Sequence, residues 1–226
     1  MEMCKGVKGF SLLQYVPHFD NLNGFPPDPM HSIYLCAPKQ STLMWFGDTC
    51  IDKDVLPFIL TEEKQKELDD FLESIVPPHF ISRCRAISPN SKSRRGRAHW
   101  KYKAHEWQMF LLYYSGVGLK GILSDEFYEN WLFLVRGVSL LSYDDLTEER
   151  TALAEINLLQ FCKGVGTLYP TQASSYNVHL LQHFPLLARR FGSLYQFSMA
   201  GFESFNFEIK SAVKGSQFPA SQIIKW

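Results

Sequence analysis

The strongest hydrophobic pattern in the chain begins at Lys103 and keeps a helical period almost to the end. Glu106 to Tyr114 (EWQMFLLYY) is apolar all round, the pattern of a buried helix. Asp125 to Leu141 (DEFYENWLFLVRGVSLL) follows a Ser124 cap and places acids in its first turn. Leu146 to Tyr169 reads as a long amphipathic helix. Its core candidates are Leu153, Ile156, Leu159, Phe161 and Cys162, and Gly164 and Gly166 are expected to fray or bend its end. Upstream, Thr61 to Ile75 (TEEKQKELDDFLESI) predicts a surface helix capped by Thr61, filled with acids in its first turn and stopped by Pro77-Pro78. Leu60, Leu68, Phe71, Leu72 and Ile75 supply its apolar stripe. Residues 19–31 cannot form a regular helix, because Pro26, Pro27 and Pro29 remove donors and restrict their neighbours. They predict an ordered loop leading into a short helix from Met30, with Asp28 as its N-cap. Alternating patterns are scarce, and Thr42 to Phe46 is the best strand candidate. The fold class that follows is mainly α.

Composition narrows the class further. At 226 residues, 46% hydrophobic and 15% aromatic, the chain can bury a core and is not disordered. A formal net charge of zero gives no global pull toward nucleic acid or membrane. Cys4, Cys36, Cys50, Cys84 and Cys162 are odd in number, scattered and free of any C-x-x-C. They support neither a disulfide framework nor a self-contained zinc knuckle, so reduced thiols in a nuclear or cytoplasmic protein are expected. No uninterrupted apolar run approaches the length of a membrane span, and no signal peptide is visible.

Charge does cluster locally. From Arg83 to Lys103 lie Arg83, Arg85, Lys92, Arg94, Arg95, Arg97, Lys101 and Lys103, with no acid between Glu73 and Glu106. Flanked by Trp100 and Tyr102, this stretch suits phosphate contact with base stacking. The same Ser/Arg composition also suits a solvated insertion, and composition alone leaves both readings open. Arg94, Arg95, Arg97, Lys101 and Lys103 are the nucleic-acid-binding candidates.

The densest candidate chemistry lies in Tyr176 to Lys210. His179 and His183 are four residues apart, one helical turn, so both imidazoles can share a ligand or pack at a helix interface. Spacing favours the packed pair. Glu203 follows twenty residues later, beyond a break, among Phe202, Phe205 and Phe207. Those rings are expected to desolvate the carboxylate, which must then pair, bind a cation or take up a proton. Arg189, Arg190 and Lys210 are the available structural partners.

Five motifs in order carry a resemblance. They are Gly6-Val7-Lys8-Gly9; Asp28-Pro29-Met30-His31; Lys103-Ala104-His105-Glu106-Trp107 with Leu111-Leu112-Tyr113-Tyr114-Ser115; Asn177-Val178-His179 with His183; and Phe202-Glu203-Ser204-Phe205-Asn206. Together the chain resembles the C-terminal half of a CACTA-type (En/Spm-like) transposase. Its last stretch is also similar to Transib transposases and the V(D)J recombinase catalytic subunit. The likeness spans nearly the whole chain, with 88–99 and 216–226 the least matched.

The resemblance implies a split RNase H-like DDE nuclease that performs DNA transposition by two-metal phosphodiester transfer. Glu203 would be the late catalytic carboxylate for two Mg²⁺ ions. His179 and His183 would be two of the four ligands of a structural Zn²⁺. Asp28 and His31 match a family motif inside the helical insertion and are read as structural. Both family aspartates and the C-x-x-C that completes the zinc site precede the Gly-Val-Lys-Gly motif, which here begins at residue 6. Ser32 and Cys36-Ala37 also depart from the family pattern.

The resulting expectation is a mainly α chain. It joins a mostly helical insertion region (1–175), with its basic loop at 83–103, to a segment (176–226) holding the zinc-site-like His helix and the glutamate-bearing C-terminal helix of the transposase core, with the core strands largely missing. Its function would be that of a truncated or degenerate transposase, inactive by itself. The alternative is a non-catalytic DNA- or protein-binding module domesticated from a transposon. DNA and further copies of the chain are the partners compatible with either reading, and a membrane is not.

Overall fold

The computed structural model describes residues 11–20, 23–48, 56–79, 81, 83–89 and 102–224. Among these, regular structure is helical and no strand occurs. The N-terminal part gives a five-residue π-helical turn, Met30–Tyr34, followed by α1 (Ala37–Trp45) and α2 (Glu62–Ser74). Asp28 caps the π turn as expected, its carboxylate accepting from the N–H groups of Met30 (3.2 Å) and His31 (3.1 Å). Thr61 likewise caps α2 through the Lys64 N–H.

The strand expected at Thr42 to Phe46 is instead the end of α1. Pro38 sits in the first turn, where its missing N–H costs nothing. The Thr42 hydroxyl bonds back to the Pro38 carbonyl at 2.7 Å, a helical i−4 contact open to threonine. Burial of Met44 and Trp45 then decides the outcome over β-propensity.

The rest of the body is α3 (Ala104–Met109), a second π turn (Phe110–Tyr114), α4 (Ser115–Gly118), α5 (Asp125–Leu141) and α6 (Glu148–Leu168). Trp107, Phe110, Leu111 and Tyr114 are buried, but Met109 and Leu112 are only partly buried and Tyr113 is 53% exposed, so the segment expected to be buried all round is buried on one side. Trp45 and Trp131 meet edge to face at 4.9 Å, and each indole N–H is satisfied, by the Tyr169 and Ser115 hydroxyls respectively.

Helices α5 and α6 pack along most of their length, and glycine makes this possible. A Cβ at Gly137 would lie 2.7 Å from Leu158, and one at Gly164 would collide with the Asn130 side-chain amide. Gly164 therefore neither frays nor bends α6, which runs unbroken to Leu168. The contact also overturns most of the expected α6 core. Leu153, Ile156 and Leu159 are 50%, 57% and 44% exposed. The buried face is Thr151, Ala154, Asn157, Leu158, Phe161 and Val165, whose smaller members let α5 approach closely.

The chain ends with α7 (Tyr176–Leu181), α8 (Phe184–Phe191), α9 (Ala200–Ala212) and α10 (Pro219–Ile224). Both α7 and α8 pack on α6. No residue of α9 is buried, so this helix is attached to the body by few contacts. None of the described helices is long and apolar enough to cross a membrane.

Candidate functional site

The attachment of α9 converges on Asp28 and His31. Asp28 is only 12% exposed, and its Oδ1 accepts a hydrogen bond from the Met199 N–H at 2.8 Å, just ahead of α9. Its Oδ2 accepts from His31 Nδ1 at 2.5 Å. The opposite ring nitrogen, His31 Nε2, lies 3.2 Å from Glu203 Oε1. Donation to both carboxylates at once is available only to the imidazolium, since the neutral ring carries one N–H. Burial by itself would raise the Asp28 carboxyl. Donations from Met199, the His31 ring and the amides of Met30 and His31 outweigh it and hold the group below the usual aspartate value.

Glu203 therefore does have a partner, but not one of the three basic residues its neighbourhood suggested. Arg189 is committed to Glu148 and Glu155, at 2.8 and 2.9 Å. Nor do the phenylalanines desolvate it. Phe202, Phe205 and Phe207 are 65%, 55% and 73% exposed, and Glu203 itself is 54% exposed. Its helix has no buried face for them to line.

Glu203 borders a cleft of about 670 Å³ that Tyr34, Lys103, His105, Gln108 and Tyr195 also line. Lys103 stands at the N-terminus of α3, where its own N–H donates to Glu106 Oε2 at 2.8 Å. Glu106 in turn receives Arg85 in a two-pronged contact of 2.6 and 2.9 Å. Burial pushes the Glu106 carboxyl up, and Arg85 together with the Lys103 amide more than reverses this. On the other flank of the basic stretch, buried Asp69 accepts from the amides of Ile87 and Ser88 at 2.7 and 3.0 Å. Arg94, Arg95, Arg97 and Lys101 lie outside the described residues.

The two histidines meet as their spacing predicts, although not on one continuous helix. His179 belongs to α7 and His183 to the short turn before α8. Their Nε2 atoms are 3.2 Å apart. Two nitrogens on one tetrahedral Zn²⁺, at Zn–N of about 2.0–2.1 Å, would sit about 3.3 Å apart, so the pair fits one edge of such a site. It fits no more than that edge. The Gln182 amide donates to His179 Nδ1 at 2.6 Å, which leaves His179 Nε2 facing His183. Cys162 and His179 line a second cleft, but the Cys162 thiol donates to the Val178 carbonyl and burial pushes it up to about 11.

Among the described residues, no three His, Cys, Asp or Glu side chains converge on a common metal position. Asp28 and Glu203 do not make a two-Mg²⁺ centre either. An imidazole stands between them, whereas Mg²⁺ requires converging oxygen ligands. The link between Asp28-x-x-His31 and Glu203 is not visible in the sequence, where the two motifs stand far apart and carry separate expected roles. The only signal was that a short Asp-His motif and a late glutamate share one chain. Comparison with family models, curated proteins and solved structures finds no match to this chain.

Proposed function

We propose that this chain is transposase-derived: a degenerate relative of CACTA-type transposases whose ancestral role is two-metal phosphodiester transfer on DNA. The observation that carries the reading is the contact of His31 with Glu203, with Asp28 behind it. Two motifs singled out by the resemblance and far apart in the chain meet at His31 and Glu203, and Met30 of the first and Glu203 of the second line one cleft. The half-zinc geometry of His179 and His183 supports the same ancestry.

By itself the 226-residue chain does not cut DNA, because one carboxylate cannot organise two Mg²⁺ ions for in-line displacement. What its own residues do is hold Glu203 in place through His31, and keep Lys103 and His105 beside it at the cleft. Incubating the purified chain with Mg²⁺ and supercoiled plasmid tests this. The expected result is no nicking and no strand transfer; Mg²⁺-dependent cleavage lost in Glu203→Gln would overturn it.

A second reading, a non-catalytic DNA-binding module, is favoured by the fixed flanks of the basic stretch. Asp69 holds residues 87 and 88 on one side, and Glu106 holds Lys103 on the other. It predicts DNA affinity that falls steeply with salt. Neutralising Arg94, Arg95 and Arg97 together would reduce the slope of log affinity against log salt by about 3. Affinity independent of salt would exclude it.

A further inference from the structure

The exposed apolar face of α6 has a symmetry that its burial pattern brings out. Leu153, Ile156 and Leu159 project to solvent from the side opposite α5. Leu153 and Leu159 stand three residues either side of Ile156, about 4.5 Å along the axis in each direction. Glu149 and Lys163 stand seven residues either side, close to two full turns and about 10.5 Å away, so they share one line with Ile156. Both are exposed, and neither has an ion-pair partner among the described residues. The neighbouring acids Glu148 and Glu155 are instead tied to Arg189 within the same chain.

We propose that α6 is a self-association surface, on which two copies of this chain pack antiparallel about a two-fold axis at Ile156. An isologous contact requires that residue i meet j while j meets i. With the axis at Ile156, each Leu153 lies level with the other copy's Leu159, and each Glu149 with the other copy's Lys163. The apolar centre meets itself, and opposite charges close both ends. A parallel pairing would instead oppose Glu149 to Glu149 and Lys163 to Lys163. The stripe is smaller than a standard interface, so the dimer forms reversibly with concentration. It needs no DNA and no metal, and stands apart from the nuclease ancestry.

Sedimentation velocity of the full chain, over about a hundredfold range of concentration, reads this directly. The weight-average mass is expected to rise from 26.1 kDa toward twice that value. Ile156→Asp should hold the chain monomeric while leaving its circular dichroism unchanged and its thermal unfolding equal to that of the wild type at concentrations too low for dimerisation, because the side chain is exposed. Glu149→Lys and Lys163→Glu should each weaken the dimer about tenfold. An equimolar mixture of those two variants should recover it, since both ends of the mixed dimer then carry opposite charges. A wild-type chain that stays monomeric, an Ile156→Asp variant that dimerises normally, or a mixture no tighter than its components would each overturn the proposal.

Discussion

His31 bridges two carboxylates, with Nδ1 2.5 Å from Asp28 Oδ2 and Nε2 3.2 Å from Glu203 Oε1. Through this ring a helix with no buried residue is joined to the body of the protein. Its second tie is the Met199 N–H, which donates to the same Asp28.

Removing the ring should therefore loosen α9 without unfolding the rest. His31→Ala is expected to speed amide exchange across residues 200–212 by about tenfold, while global stability to urea changes by less than about 1 kcal/mol. Exchange in α5 and α6 serves as the internal reference. Unchanged protection in α9 would mean that the His31–Glu203 contact holds nothing.

Asp28 should make acid stability steeper. Its carboxyl is held below the usual aspartate value in the folded state. The stability it contributes is thus fully present above the unfolded value, about 3.9, and is lost as pH falls through the lowered folded value. Asp28→Asn should be less stable than wild type at pH 6, by about 1–2 kcal/mol. The gap should narrow steadily below pH ~4 in urea titrations. A gap that does not change with pH would contradict the assignment.

Two glycines two residues apart in α6 should respond with opposite signs. Gly164→Ala drives a Cβ into the buried Asn130 amide, whose N–H donates to the Phe161 carbonyl, and should cost about 1–3 kcal/mol. At Gly166 the nearest atom to a new Cβ is Ser174 Oγ at 3.8 Å, so Gly166→Ala should stabilise the helix by about 0.5–1 kcal/mol. Chemical denaturation of the two variants checks both.

Zinc should bind weakly or not at all to the isolated chain. Two imidazoles give half a tetrahedral site, and their present hydrogen bond must be broken to free both lone pairs. Metal analysis after dialysis against buffered zinc should give well under one equivalent, and His179→Ala should leave thermal stability unchanged. One tightly held equivalent lost in His179→Ala would show that the chain completes the site itself.

Much of the architecture was legible in the amino-acid order. Thr61 and Asp28 cap the helices they were expected to cap, and α5 has the bounds expected for it, because caps and periodicity are local properties. Local pattern is ambiguous where two answers are equally good. Helix α6 carries apolar residues on both sides, and its sequence cannot say which stripe faces inward. Leu153, Ile156 and Leu159 were the obvious choice by side-chain size, yet close packing with α5 selected Ala154, Asn157 and Leu158. Likewise Thr42 to Phe46 has good β-propensity, but among the described residues there is no strand to pair with, and the Pro38 turn starts a helix.

By itself, then, the sequence determined a helical chain, the caps at Thr61 and Asp28, and the approach of His179 to His183, since each depends on contacts within a few residues. Only the tertiary structure decided that Glu203 would meet His31, that its phenylalanines would stay in solvent, and which face of α6 would be left open. Those outcomes depend on which distant surfaces fit together, and packing between elements has no signature in the order of residues within any one of them.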